Sequence, residues 1–362
     1  MPASPTTETD KKSRANGPHS QSRETTMKLM TYMLGGALAL GAVTTAEATP
    51  FQNRDRINLV IGYDVGGGYD IYGRFIARHM SKHLINGPSI VPQNMPGAGS
   101  LRAANFLYNV APKDGTSIGT VSQSIAMMQL LETQGLLFEV DKFSWIGRMS
   151  DVDTVLGVWH TAPVRTIQDA KAQEIAVAVG GALSGSDLYV RFLNALVGTK
   201  IKPIAGYSAK QALLALEREE VHGSFSILYN QMKAQQPAWF SENKLRILVQ
   251  IGTERRAALS DVPTLTELAT NEDDRRMMTV ISAGDVVGRT LIGPPGMQPE
   301  RLAELRRAFN ATMADPEVLA EAAKMQLDIN PLSGEKLQAL TEEQKRLPAA
   351  TIARIKAIAE SK

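Results

Sequence analysis

The densest concentration of chemical potential in this 362-residue sequence is Gly66-Gly67-Gly68-Tyr69-Asp70, a glycine run that opens a helical pattern. Glycines at such a junction let backbone N–H groups face a ligand, and the helix start adds about half a positive charge. The loop therefore favours an anion. It is not a dinucleotide fingerprint, which needs glycine where Ile71 stands, and no Gly-Lys-Ser/Thr follows to make a P-loop. Read alone, it is equally an ordinary strand-to-helix turn with Asp70 as the helix cap. Two further loops have the same character: Asn94-Met95-Pro96-Gly97-Ala98-Gly99-Ser100, and Gly180-Gly181-Ala182-Leu183-Ser184-Gly185-Ser186. If all three converge on a cleft, a carboxylate there accepts several charge-assisted hydrogen bonds, each worth roughly 1.5–3 kcal/mol. A micromolar receptor needs only about 8 kcal/mol in total, so no buried arginine is required.

Other constellations carry less. Gly115-Thr116-Ser117-Ile118-Gly119 matches the nucleophile elbow of hydrolases, but that elbow needs a strand before the serine and a helix after it. Here a turn precedes Ser117 and a strand contains it. His79 and His83 lie four apart on one helix, yet Met80 follows His79 where a zinc protease has its general base. Arg78 and Lys82 mark that face as basic and solvated. Trp145, Trp159 and Trp239 are isolated and read as core or cleft wall. The chain has no cysteine, which removes disulfides, thiolate metal sites and cysteine nucleophiles. Its formal net charge of +2 includes no basic stripe of the kind a nucleic-acid partner needs.

The elements that position these loops follow from hydrophobic spacing. Residues 57–62 form a short apolar strand ending in glycine, and residues 70–84 show helical spacing through Ile71, Phe75, Ile76, Met80 and Leu84. Residues 89–93 read as the next strand, Ser100 caps a helix carrying Leu101, Ala104 and Leu107, and Asp114-Gly115 turns into a strand over 116–121. Further on, strands are expected at 174–179, 201–204, 221–227 and 245–251, and helices at 186–197 and 209–220. Pro299 starts a helix that runs through Met313, and Ser333 opens another. This alternation predicts an α/β protein with two mainly parallel sheets flanked by helices, and chain crossings near 152–162 and 280–290.

The N-terminal region reads differently. Lys28 precedes an apolar run from Leu29 to Val43, and Ala46-Glu47-Ala48 supplies a small-residue cleavage site. That is the pattern of a secretory signal peptide over residues 27–48, with a mature start near Thr49. Residues 1–26 are polar and read as a disordered extension or a misassigned start.

In order along the chain, these segments resemble the substrate-binding receptors of tripartite tricarboxylate transporters, often called Bug proteins. Residues 57–70 are similar to the family's first strand and Gly-Gly-x-x-Asp loop, and Asn94–Ser100 to its Asn-x-Pro-Gly-Ala-Gly loop. Residues 111–119 resemble its Ala-x-x-Asp-Gly turn, and residues 180–186 loosely resemble its Gly-x-Gly-Ser helix start. Residues 245–268, with Arg255 and Asp261-Val262-Pro263-Thr264-Leu265-x-Glu267, and Gly293-Pro294-Pro295-Gly296 complete the set. Single motifs are weak; six in order are specific.

The resemblance implies a two-lobed periplasmic binding fold that closes by hinge motion on a ligand cleft. The lobes would be 49–157 plus 286–362, and 158–285. It implies a small carboxylate held through main-chain groups, hydroxyls and water, with no cofactor, no metal and no catalysis. Carried over, the contacts are Tyr63, Gly67, Gly68, Asp70, Ala98, Ser122 and Ser124 in the first lobe. The second lobe would offer Ser184, Gly185, Ser186 and Tyr207. Asp70 would cap its helix and orient donors, since its charge opposes a carboxylate. The partners implied are membrane transporter subunits, or a sensor kinase to which solute is presented, and the receptor is expected to be a periplasmic monomer. The remaining class is a secreted α/β hydrolase. The chain departs from the family at Gly62-Tyr63-Asp64-Val65, at Tyr207-Ser208-Ala209-Lys210, and where Ser224 or Ser226 replaces an acid. Tyr63, Tyr69 and Tyr207 raise the expectation of an aromatic or larger acid.

Overall fold

The computed structural model describes Phe51, residues 55–181 and residues 184–361. The signal-peptide segment, the expected mature start, Ala182 and Leu183 lie outside the described residues.

From Arg56 the chain lays down β1 (Arg56–Ile61), α1 (Gly68–Met80), β2 (Ser89–Asn94), α2 (Leu101–Asn109), β3 (Ser117–Thr120), α3 (Ile125–Leu130) and β4 (Ser144–Ser150). It then builds β5 (Thr154–Trp159), α4 (Asp169–Ala172), β6 (Ile175–Ala178), α5 (Gly185–Phe192), β7 (Ile201–Ile204), α6 (Ala209–Glu217), β8 (Gly223–Leu228), α7 (Tyr229–Gln235), α8 (Pro237–Ser241) and β9 (Leu245–Gln250). It returns through α9 (Glu272–Val287), β10 (Arg289–Gly293), α10 (Pro299–Ala314), α11 (Pro316–Lys324), β11 (Leu332–Ser333), α12 (Gly334–Gln344) and α13 (Ala349–Glu360).

Two sheets result, ordered β11-β4-β10-β3-β1-β2 and β7-β6-β8-β5-β9. The expectation of mainly parallel sheets holds only where helices connect neighbouring strands. β1 runs parallel to β2 and β3, and β6 parallel to β7 and β8. β10 and β5 are antiparallel to their partners, so both sheets are mixed. The reason is connectivity: a parallel pair needs a crossover that returns the chain to the same end of its sheet. Strands delivered from the other sheet have none.

Each sheet is covered on both faces. In β1, Ile57, Leu59 and Ile61 point into one apolar cluster with Phe75 and Phe309, while Val60 points into the other with Leu107 and Trp145. The second sheet divides likewise, with Leu156 and Val177 on one face, and Val155 and Ile227 on the other. Trp145 is fully buried, and Trp159 packs edge-on against Trp239 at 5.0 Å, so all three tryptophans are core residues. Ile355 of α13 belongs to the second sheet's core, so the last helix packs on α5 and α9 of that side although the preceding elements return to the first sheet.

Three local expectations are corrected. Ser100 does occupy the position before α2, but it lies at φ 79° and its side chain makes no capping bond. Instead it presses on Gly62, where an added Cβ would stand 1.9 Å from Ser100 Oγ. Asp70 is not the cap of α1, because Gly67 holds that position and Asp70 falls in the first turn. The basic face of α1 is only half solvated. Arg78 and His79 reach Glu321 at 2.8 and 3.2 Å, and Lys82 and His83 reach Asp315 at 2.7 and 3.1 Å, which docks α11 on α1.

The return crossing turns on Gly288, at φ 58° and ψ −138°, where a Cβ would lie 2.2 Å from the Ser150 carbonyl oxygen. Only glycine adopts that conformation without strain. Gly288→Ala is expected to destabilise the fold by at least about 2 kcal/mol, read as a lower urea midpoint. An unchanged midpoint would show that the crossing relaxes freely.

Candidate ligand cleft between the two sheets

A cavity of about 460 Å³ lies between the two sheets. On the first-sheet side, the chain leaves β3 through Ser122, Gln123 and Ser124 and enters α3. Ser122 Oγ accepts from the Ser124 N–H at 3.1 Å and is bonded to Tyr63, which stacks on Tyr69 at 4.4 Å. On the opposite side is the start of α5. Ser184 caps that helix, accepting from the Asp187 N–H at 3.4 Å, and its hydroxyl meets that of Ser186 at 3.1 Å. Ser186 Oγ in turn accepts from the Gly180 N–H at 2.9 Å, which ties the glycine loop to the helix it opens. Much of the remaining wall is apolar, including Met127, Met128, Phe225, Leu228 and Ile281, with Thr133, Ser226 and Gln344 among them. The arrangement offers hydroxyls and helix-start N–H groups to a polar head and hydrophobic surface to its body.

The floor is a hydrogen-bonded chain across the cleft. Tyr69 Oη donates to Gln123 Oε1 at 3.1 Å and accepts from the Gln123 N–H at 2.9 Å. Gln123 Nε2 donates to Asp285 Oδ1 at 3.0 Å, and Tyr189 Oη donates to the same oxygen at 2.8 Å. The Thr154 N–H completes the set at Asp285 Oδ2, 3.3 Å away. Asp285 is 2 % exposed. Burial pushes its carboxyl up to about 6, against the pull of its Thr154 and Tyr189 hydrogen bonds. Burial likewise raises the phenols of Tyr69 and Tyr189, which remain donors.

Of the residues expected at the site, Ser122, Ser124, Ser184, Gly185 and Ser186 line this cavity. The second loop reaches it through Gly99 rather than Ala98, which lies at φ 46° in the turn before α2. The first loop does not line it: Gly68 faces a neighbouring cavity, and Gly67 caps α1. Asp70 is buried in a network of its own, accepting from the Gly66 N–H at 2.9 Å, Arg74 Nε at 2.9 Å and Asn94 Nδ2 at 2.8 Å. Burial would raise its pKa, but the bonds from Arg74, Gly66 and Asn94 outweigh this and hold it below the ordinary value. Tyr207 lines a separate depression beside Gly206 and Arg218, so the three tyrosines form no common aromatic wall. Ser226 faces the cavity, whereas Ser224 is buried beneath it and bonds the Ala178 carbonyl at 3.4 Å.

Gln123, Tyr189, Phe225 and Asp285 were not anticipated. Asp285 left one legible trace, an acid among the apolar residues closing a helix, at Ser282-Ala283-Gly284-Asp285-Val286-Val287. Ser117 sits 3 % exposed inside β3 and has no helix directly behind it. Among the described residues no group of three metal-binding side chains occurs, and no helix is long and apolar enough to cross a membrane.

Because the folded-state pKa of Asp285 lies above its unfolded value near 4, its contribution to stability is present below pH 4. That contribution is lost as pH rises through about 6. Relative to Asp285→Asn, wild-type protein should therefore become less stable between pH 4 and pH 7 in urea titrations. A difference that stays flat across the window would mean that Asp285 does not titrate there.

Residues 73–360 match the family model described as the tripartite tricarboxylate transporter family receptor. A UPF0065 protein of Cupriavidus necator is 28% identical over 303 residues, covering 81% of this chain and 85% of the relative. A TctC solute-binding protein from Polaromonas has a TM-score of 0.64 at 21% identity, covering 84% of this chain and 97% of that one. A protein of R. palustris with adipate has a TM-score of 0.58 at 20% identity, covering 84% of this chain and 96% of that one. These structures share the two-lobed fold of mixed sheets flanked by helices. With the family model matched over most of its length, the chain belongs to the receptor family of the tripartite tricarboxylate transporters.

Proposed function

We propose that this protein is a periplasmic receptor that closes on a small organic acid and delivers it to the membrane subunits of a tripartite tricarboxylate-type transporter. The observation that carries the reading is the interlobe cavity, where Ser122 and Ser124 on one side face the Ser184-Gly185-Ser186 helix start on the other. A carboxylate between them would accept hydrogen bonds from both lobes, so its binding energy would favour the closed arrangement. The presence of adipate in a structural relative agrees with this ligand class. The reading includes binding without turnover, as a monomer that uses no cofactor and contacts no nucleic acid.

The lobes in this reading are those expected from the sequence, 49–157 with 286–362, and 158–285. Two amendments are proposed: the first crossing moves to before Thr154, because all of β5 pairs within the second sheet, and α13 moves with the second lobe, because Ile355 sits in that lobe's core.

Thermal-shift titration against a panel of carboxylates is the direct test. A ligand present at 100 times its Kd adds about 2.7 kcal/mol of stability. Ser124→Ala should weaken binding about tenfold, the loss of one charge-assisted bond, with a melting temperature near that of wild type. Ser117→Ala should bind as wild type does. Catalysed hydrolysis of an ester of the bound acid, abolished by Ser117→Ala, would sink the receptor reading in favour of an enzyme.

A further inference from the structure

Of the described residues that line the serine-lined cavity, Asp285 alone carries a charged side chain, and no lysine, arginine or histidine is among them. An anion drawn in by the hydroxyls and the start of α5 therefore meets a like charge and no counterion. Two negative groups in a water-poor site each disfavour the other's ionisation, and the less costly outcome is that one of them takes up a proton.

The geometry offers one oxygen for that proton. Asp285 Oδ1 is engaged, accepting from Gln123 Nε2 at 3.0 Å and from Tyr189 Oη at 2.8 Å. Oδ2 accepts from the Thr154 N–H at a long 3.3 Å. The Thr154 hydroxyl also bonds the carboxyl, and a hydroxyl can turn from donor to acceptor. Protonated on Oδ2, Asp285 keeps both bonds at Oδ1 and donates to the Thr154 hydroxyl, so the contact between the lobes survives neutralisation. Burial already pushes this carboxyl up to about 6, against the pull of its Thr154 and Tyr189 bonds. Only a modest further push then neutralises it near pH 7.

Each nearby cation is committed elsewhere. The groups facing Asp285 from α5 and α1 are Tyr189 and Tyr69, phenols that burial keeps neutral. Asp153, just before β5, adds to the upward push. Arg148, Arg255 and Arg256 share the space behind Asp285 with Glu254 and Asp151. They turn to the Asn330 carbonyl at 3.0 Å, Glu267 at 2.9 Å and Asp151 at 2.6 Å, respectively. Arg289, beyond the end of α9, lies over the Tyr72 ring at 4.7 Å. Arg354 of α13 pairs with Asp274 at 3.0 Å, near the opposite end of α9. α3 brings no ionisable side chain.

We infer that Asp285 is a proton site coupled to the ligand, so that capture of an organic anion in this cavity takes up a proton from solvent onto Asp285 Oδ2. The coupling rests on the receptor reading and deepens it by making the proton a co-ligand. The ligand carboxylate stays ionised, and affinity rises as pH falls.

Isothermal titration of adipate, malate and hexanoate in phosphate and in Tris, whose heats of protonation differ, tests this. For an acid that binds, the buffers should differ at pH 7 by the heat of about half a proton taken up. Affinity should rise roughly fivefold from pH 8 to pH 6, because like charges about 10 Å apart at an effective dielectric of about 20 shift a pKa by about one unit. Asp285→Asn should lose both effects and bind at pH 8 at least as tightly as wild type does at pH 6. Tyr189→Phe, which removes one bond to the ionised carboxyl, should move the rise in affinity to higher pH. Binding with equal enthalpies in both buffers and equal affinity at pH 8 and pH 6 overturns the coupling and leaves the receptor reading intact. Proton uptake that persists in Asp285→Asn, or a rise that stays in place in Tyr189→Phe, overturns the assignment to Asp285. Wild type binding none of the three acids defeats the receptor reading as well.

Discussion

Asp285 gathers donors from three parts of the chain that share no local sequence. Gln123 arrives from the loop after β3, Tyr189 from α5, and the Thr154 N–H from the first residue after the crossing into the second sheet. A carboxylate buried to this extent is tolerable only while its oxygens are bonded, because unpaired charge in a low-dielectric interior is heavily penalised. The two lobes are therefore held in register at the point where the ligand cavity begins. The helix that carries Asp285 ends at Gly288, whose conformation lets β10 enter the first sheet between β3 and β4.

The cavity above this knot is built by the ends of elements. Ser122 and Ser124 follow a strand, and Ser184 and Ser186 flank the start of a helix, so each hydroxyl is positioned by a rigid element while its surroundings stay free to vary. The apolar residues around them, Phe225 from β8 and Met127 and Met128 from α3, come from two separate elements. Their joint effect is a site polar at one end and hydrophobic at the other, the pattern expected of a pocket that holds an acid by its head. The second loop contributes less than its motif suggests, because the turn at Ala98 and Gly99 brings only the latter to the cavity.

Reading the site from motifs succeeded where the motif governs its own neighbourhood. The Gly180–Ser186 loop contains both the cap and the hydroxyl that bonds back to it, so its role at a helix start was visible in residue order. The first loop illustrates the opposite case. Its glycines do open α1, but Tyr69 points to Gln123 in the loop after β3, and Asp70 turns inward to Arg74 and Asn94. Both partners are distant in sequence or depend on side-chain direction, and spacing cannot reveal either.

Hydrophobic alternation and turn residues were enough to indicate two α/β sheets, the strands β1, β2, β3, β6, β7, β8 and β9, and the six ordered motifs of the family, because each of these depends on contacts between near neighbours in the chain. β4, β5 and β10 escaped notice. β4 and β5 are buried over their full length, and β10 is buried at all but its first residue, so none shows a polar face to alternate with. β4 even carries Arg148, satisfied by the Asn330 carbonyl. The antiparallel entry of β5 and β10, the packing of α13 on the second core and the knot at Asp285 all depend on segments that meet across the two sheets. Non-local packing and burial set these features, and no stretch of local sequence encodes them.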